Sequence, residues 1–431
     1  MSSFIFALTI VYFGMLDIKK LRENPDAYKA QVAKRWPDVT LPIEDILSLD
    51  DARRALTQEV EKLAAERNQK SKVKPDADTI AAMKELGGQI QKREAELKAV
   101  EQRLADELAG LPNIVADDVV AGDKENNAVV YTYGKQPVFN FEPKDHVSLA
   151  TTLGLIDYER AAKMSGTGFW VYRGAGALLE WSLLNYFVDF HRTHGYTFIM
   201  PPYLLSEDSA YASGHLPKFR DDLFWTQDAL CLNATSEMML LNYHRDEILD
   251  AAQLPLKYFG YSTCFRREGG GYRKEERGMI RGHQFNKIEM FQFTRPSDSW
   301  QALDELVSHA QQLVEGLGLH FQTTKLAAGD ISSAMAKTFD IEVWIPSMGI
   351  YKEVSSASNA LDYQARRAQI RFKNRDTGSN EFVHTLNASG LATSRLLPAI
   401  LEQFQQADGS VTVPKVLQKY CGLEVIKPVI N

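Results

Sequence analysis

A chain of 431 residues that is 45% hydrophobic and 24% charged has the composition of a folded globular protein, and its length suits about two to four domains. The net charge of −7 excludes a surface that is basic throughout, so a polyanion partner must meet a local patch. Its three cysteines, Cys231, Cys264 and Cys421, share no C-x-x-C spacing; this argues against a zinc knuckle or a disulfide framework and suits a reduced, cytoplasmic setting.

Residues 4–14 (FIFALTIVYFG) form an apolar run too short for a membrane span, which needs about 20 residues. The run lacks the basic start and small-residue cleavage site of a secretory signal. Met15 follows it directly. Residues 1–14 therefore read as an extension or an upstream start, with targeting or tethering as the alternative. An amphipathic helix then opens at MLDIKKLRENPDAY, and residues 15–115 read as a helical arm domain ahead of a second domain at 116–431.

Within the arm, Leu49, Leu56 and Leu63 recur every seventh residue with Val60 between them, and Pro75-Asp76 breaks the pattern. Met83, Ile90, Leu97, Leu104 and Leu111 resume it, with Leu86 and Val100 at the intervening positions. Two heptad runs around a breaker predict an antiparallel coiled-coil hairpin. Few apolar residues lie off the seam, so the hairpin is expected to project into solvent. Its turn end carries Arg67, Lys70, Lys72, Lys74 and Lys84. Such a cluster is ordinarily only solvated; on a protruding arm it reads better as a tip that contacts phosphates.

Residues 114–145 are polar and turn-rich and read as a connection between domains. Beyond them short strands alternate with a few helices. Residues 178–190 predict an apolar helix, 300–317 an amphipathic one, and 339–345 a strand with Asp340, Glu342 and Trp344 on one face. There is no repeated strand–helix–strand unit, no G-x-G-x-x-G and no Walker loop, which excludes Rossmann and P-loop nucleotide chemistry. The expected class is α+β, an antiparallel sheet with flanking helices.

Residues 258–293 read as a long hairpin with a charged, glycine-rich tip. By period two, Cys264, Arg266 and Glu268 share a face going out, and Phe285, Lys287 and Glu289 share one coming back. A solvent-facing hairpin with cross-strand ion pairs is the plain alternative. The loop is long for a compact domain, and F-R-x-E, a loop and a return strand also match the second signature motif of class II aminoacyl-tRNA synthetases. YTFIMPPYLL (196–205, with Pro202) resembles the first motif, and NASGLATSR (387–395) the third, a glycine-led helix with an arginine in its first turn. GHLPKF (214–219), TSE (235–237), CFRREGG (264–270), RGHQFNKIEM (281–290), EVSSASN (353–359), DYQARR (362–367) and FQQADG (404–409) together resemble the seryl-tRNA synthetase family of bacterial or organellar type. With the arm, the resemblance covers the chain from Met15 onward.

That resemblance implies a class II catalytic domain at 116–431. It would activate L-serine with ATP and Mg²⁺, then transfer the seryl group to tRNA(Ser), and to tRNA(Sec) as well, working as a cytoplasmic homodimer. It implies ATP binding by Arg266, Arg267, Glu268, Phe285, Glu353, Val354, Ser355, Ser356 and Arg395, with Arg266 and Arg395 on the phosphates as the catalytic pair. Glu353 and Ser356 would hold Mg²⁺. Serine would be bound by Thr235, Ser236, Glu237, Glu289, Asn387 and Ser389, and tRNA by Arg67, Lys70, Lys72 and Lys74. Read alone, Thr235-Ser236-Glu237 is a helix cap before an apolar run. Met238-Met239, Ala357, Ala388 and Gly269-Gly270-Gly271 depart from the family pattern, and Pro398 follows Arg395 closely. Three alternatives fit the chain less well: a relative that loads a carrier protein, which would lack the arm; a non-catalytic scaffold, which would lose Arg266, Glu268, Glu289 or Arg395; and a zinc hydrolase on His283 and Cys264, which lacks a third ligand at a sensible spacing.

Overall fold

A computed structural model describes residues 16–71, 76–268 and 278–428. The N-terminal apolar run, Lys72, Lys74, Pro75 and the glycine-rich tip of the long hairpin lie outside these residues. Within them the chain divides into two compact units, one ending at Pro112 and the other running from Asn113 onward with Lys34–Trp36 added.

The first unit is dominated by two long helices, α1 (Ile43–Lys70) and α2 (Ala77–Ala109), of 28 and 33 residues. At 1.5 Å per residue they extend about 42 and 50 Å. Asp76 caps α2, its carboxylate accepting from the Thr79 amide at 2.8 Å. The helices pack on each other along the heptad positions. Leu49, Leu86, Ile90 and Leu104 are buried, while Leu56, Leu63, Met83 and Leu97 are half-buried. Half-burial is what one partner helix can provide to a two-stranded seam. Arg93 reaches across to Glu59 at 3.0 Å. The last heptad residue, Leu111, is buried but lies beyond α2, whose C-cap is Gly110. At the far end Arg67 is exposed, and Lys70 pairs with Glu66 at 3.2 Å, one turn back.

The second unit is built on an eight-stranded sheet. Its strands in chain order are β1 (Ala128–Tyr133), β2 (Thr197–Ile199), β3 (Leu256–Phe265), β4 (Gln284–Thr294), β5 (Phe321–Lys325), β6 (Lys337–Ile345), β7 (Ile350–Asn359) and β8 (His384–Ala392). In space they run β1-β5-β6-β7-β8-β4-β3-β2. All neighbours are antiparallel except β2 and β3, paired from Thr197 opposite Tyr258 to Ile199 opposite Gly260. That parallel pair departs from the all-antiparallel expectation, and the long connection from β2 to β3 is what such a pairing requires. The stretch 114–145 is also more than a connection, since it contributes the edge strand β1. The return arm of the long hairpin becomes a strand only at Gln284.

Helices α3 (Ala175–Thr193), α5 (Ser299–Leu317) and α6 (Thr393–Gln403) are packed against the sheet; the short α4 (Glu237–Asn242) sits beside β3 and β4. The apolar stripe of α5, Leu303, Leu306, Ala310, Leu313, Val314 and Leu317, is wholly buried, as are Leu179, Leu183 and Phe187 of α3. No helix of the described residues is long and apolar enough to cross a membrane.

Candidate active site

The hairpin β3–β4 sets Cys264 opposite Phe285, Ser262 opposite Lys287 and Gly260 opposite Glu289. Opposite residues share a face, so Phe285, Lys287 and Glu289 line one surface at two-residue intervals. Strand β3 ends at Phe265, so the pleat does not carry Arg266 and Glu268 onto that surface as the sequence spacing had suggested. Local bonds bring them there. The Arg266 amide donates to the His283 carbonyl at 3.0 Å and its Nε to the Ala234 carbonyl at 3.3 Å. The Arg266 guanidinium lies 5.3 Å from the centre of the Phe285 ring. Glu268 adopts φ +50°, a left-handed conformation that costs a non-glycine residue about 1 kcal/mol or more. Its carboxylate pairs with Arg281 Nη2 at 2.5 Å. Arg267 instead packs its guanidinium 6.0 Å from the Phe224 ring.

Strand β8 brings the next group. Ser389 pairs with Glu289 and Asn387 with Phe291, and a bulge follows between Ser389 and Ala392. The extra residue re-aims the chain into α6, a common use of bulges beside active sites. Gly390 therefore belongs to the strand and does not lead the helix, contrary to the motif expectation. A Cβ there would lie 2.3 Å from His191 Nε2, so any larger residue would force the buried His191 ring to shift. Arg395 falls in the first turn of α6, and its Nη1 donates to the Glu353 carbonyl at 2.7 Å. Pro398 lies inside α6, which starts at Thr393 and not late, so the helix lacks one backbone donor toward the Ser394 carbonyl.

These elements enclose a cavity of about 240 Å³ lined by Arg266, Glu268, Arg281, Phe285, Lys287, Glu353, Val354, Ser389 and Arg395 among others. One aromatic face lies within a ring of cations, suiting a flat base that carries phosphates. Ser355 is wholly buried, its hydroxyl donating to the Ser389 carbonyl at 2.6 Å, and Val354 is buried too. Val354 lines the cavity, while Ser355 ties β7 to β8.

Beside the cavity Ser356 stands opposite Asp340. Burial, then the nearby Glu353 carboxylate, pushes the Asp340 carboxyl well above the usual range, while a hydrogen bond from Ser356 opposes the shift. Asp340 Oδ1 is buried without a hydrogen-bond partner. An oxygen set with an orphaned carboxylate oxygen fits a hard divalent cation. Among the described residues no three His, Cys, Asp or Glu side chains are placed to hold an ion unaided, so such an ion would keep water or phosphate ligands.

The other end of the Glu289 surface is a pocket of acceptors. Glu289 is 1% exposed, and its Oε1 accepts from Asn387 Nδ2 at 3.2 Å. Glu289 Oε2 and Asn387 Oδ1 are buried without an aligned donor. Glu237, at the start of α4, accepts from Gln364 Nε2 at 2.7 Å, and Gln364 in turn accepts from Thr385 Oγ1 at 2.7 Å. Thr235 Oγ1 accepts from the Glu237 amide at 3.3 Å. Ser236 is the N-cap of α4, but its side chain makes no capping bond. Its fully buried hydroxyl bonds Ser262 Oγ at 2.7 Å instead, which ties α4 to β3.

Burial, then the neighbouring Glu289 charge, pushes Glu237 up from 4.5 to about 7. Between those values the folded protein holds a proton that the unfolded chain has released, so this group's contribution to stability falls as pH rises and is lost above pH 7. The Glu237→Gln variant is therefore expected to gain about 3 kcal/mol on the wild type between pH 4.5 and pH 8. Urea unfolding of both proteins across that range checks it; parallel stability curves would sink the idea.

Among the departures from the family pattern, Met238, Met239, Ala357 and Ala388 do not line the cavity, and Gly269-Gly270-Gly271 lie outside the described residues. Met238 and Met239 are buried in a cluster with Leu205, Ala210, Leu216 and Leu223. Ala357 and Ala388 pair with each other in the core. Cys264 is buried with its thiol beside Ser262, and His283 Nδ1 lies 3.0 Å from the Arg266 carbonyl. Asp340, Arg281, Gln364 and Lys287 escaped the sequence-based site. Alternation had placed Asp340 and Lys287 on the right faces, whereas nothing local marks Gln364, which becomes relevant only by touching Glu237.

Family models match both parts of the chain: "Seryl-tRNA synthetase N-terminal domain" over residues 15–115, and "tRNA synthetase class II core domain (G, H, P, S and T)" over residues 219–404. The chain is 51% identical over 423 residues to Serine--tRNA ligase 2 of Clostridium acetobutylicum, covering 95% of this chain and 99% of that protein. It is 44% identical over 426 residues to the Serine--tRNA ligase of Thermodesulfovibrio yellowstonii, covering 96% and 100%. The crystal structure of seryl-tRNA synthetase from Pyrococcus horikoshii complexed with ATP is 34% identical and superposes with a TM-score of 0.89, covering 96% of this chain and all of that one. With near-complete coverage at these identities, the chain belongs to the seryl-tRNA synthetase family of class II aminoacyl-tRNA synthetases.

Proposed function

We propose that the protein activates L-serine with ATP and transfers the seryl group to tRNA(Ser), and to tRNA(Sec) as well. In the first step a serine carboxylate oxygen forms a bond to the α-phosphorus, and the bond to the leaving pyrophosphate breaks. In the second, the terminal ribose hydroxyl of the tRNA takes the seryl group, losing its proton, and AMP leaves. The first nucleophile is already ionised, so the protein's work is alignment and charge stabilisation.

One observation carries the reading. A cavity framed by Phe285, Arg266 and Arg395 adjoins a buried pocket in which Lys287 Nζ lies 2.6 Å from Glu289 Oε2 out of hydrogen-bonding alignment and Asn387 Oδ1 has no donor. Adenine stacks on Phe285 and Glu268 accepts from its amino group. Arg266 binds the α-phosphate and Arg395 the γ-phosphate, the latter helped by the N-terminus of α6. The serine ammonium satisfies Glu289 and Asn387, and its hydroxyl is read by Thr235, Glu237 and Ser389. Glu353 and Ser356, with Asp340 beside them, would hold Mg²⁺, which supplies charge neutralisation on the phosphates. The arm engages tRNA through Arg67, Lys70, Lys72 and Lys74. Two copies join through the edge strand β2 and the segment that follows it, where Phe198, Met200 and Leu204 are exposed near Pro202. Three free cysteines suit a cytoplasmic setting.

ATP–pyrophosphate exchange with a panel of amino acids tests the reading. Serine should support exchange, and alanine should fall about 100-fold or more below it, since alanine leaves the hydroxyl-binding groups unpaired. Exchange with a different amino acid, or with none, overturns the assignment.

A further inference from the structure

This inference rests on the reading above and concerns a residue to which that reading gives no role. Serine has three polar groups, and the acceptor pocket serves the ammonium and the hydroxyl. The carboxylate also needs a partner, a cation standing between the acceptor pocket and the arginines on the phosphate side. Arg266 is assigned to the α-phosphate. Lys287 stands at the required place, two residues from Phe285 and two from Glu289 on one face of β4. It lines the same cavity as Arg266 and Arg395, and its side chain is only 8% exposed.

Its present contact is unusual. Lys287 Nζ lies 2.6 Å from Glu289 Oε2, yet that oxygen has no donor in hydrogen-bonding alignment. The lysine balances the buried charge without satisfying the oxygen's directional need. A ligand ammonium placed for Glu289 Oε2 and Asn387 Oδ1 would satisfy both orphaned acceptors and release the lysine.

We infer that Lys287 is the carboxylate anchor for serine, held on Glu289 in the free protein and exchanged for the ligand's own ammonium on binding. The swap conserves charge. Serine brings one cation and one anion; Glu289 takes the cation, and Lys287 takes the anion and holds it toward the α-phosphorus. A ligand without a carboxylate would displace Lys287 and leave it with no new partner.

Serinol keeps the ammonium and hydroxymethyl of serine but lacks the carboxylate, so it isolates this contact. Binding of L-serine and of serinol to the full-length protein is measured by calorimetry, alongside exchange kinetics. The wild type should prefer serine by at least about tenfold. Lys287→Met should lose serine affinity by about tenfold or more and bind serinol as well as or better than the wild type. Lys287→Arg, which keeps the charge should the Met variant fail to fold, should retain a preference for serine. Equal weakening of both ligands in either variant, or a preference that survives Lys287→Met, overturns the inference. A wild type without serine-dependent exchange would instead overturn the reading on which it rests.

Discussion

Replacing Arg266 with alanine should slow serine-dependent ATP–pyrophosphate exchange by about 10³-fold, the loss typical when one preorganised charge donor is removed from a developing transition state. Folding should change little. In the free protein the side chain makes a 3.3 Å bond to the Ala234 carbonyl and lies over the Phe285 ring, contacts worth about 1 kcal/mol each at most. Lysine should restore only part of the rate, because a point charge cannot grip two phosphate oxygens as a planar fork does. Steady-state exchange together with a thermal melt of each variant checks this. An alanine variant with more than a tenth of wild-type exchange, or one that fails through unfolding, would remove Arg266 from its role.

Replacing residues 60–100 with a short flexible linker should leave exchange within about twofold of the wild type and lower tRNA charging by about 10³-fold or more. The seam of α1 and α2 is satisfied within its own unit, since Leu56, Val60, Leu63, Ile90, Leu97 and Val100 cover one another. The unit that holds the candidate site lies beyond Pro112 apart from Lys34–Trp36. The expected loss is electrostatic. Arg67 is exposed, and the Lys70–Glu66 pair is a surface pair worth well under about 1 kcal/mol, readily exchanged for a phosphate. The Michaelis constant for tRNA should accordingly rise steeply with salt in the intact protein. Parallel exchange and charging assays decide the matter; charging that survives the deletion would end the proposal for the arm.

The features legible in the amino-acid sequence were those governed by short-range periodicity. The period of seven marked α1 and α2, because a two-helix seam imposes its repeat directly on the chain. The period of two put Phe285, Lys287 and Glu289 on one face, because the pleat admits no other arrangement. Motif order, read against the seryl-tRNA synthetase pattern, carried the family. What spacing could not reach was set by contacts between distant segments. Arg266 and Glu268 reach the site through loop bonds and a left-handed residue past the end of β3, not by alternation. The bulge after Ser389 moved Gly390 out of the helix and set Arg395 in the first turn of α6. Ser236 became a tie to Ser262 because its neighbour was a strand 26 residues away. Asp340 and Gln364 joined the site through the sheet and through Glu237, contacts that local pattern does not encode. The chain by itself thus determined its helical arm, its strand faces and its family. The tertiary structure decided which acids are buried and where Lys287 stands beside Glu289, because desolvation and pairing are properties of the packed neighbourhood and not of the chain.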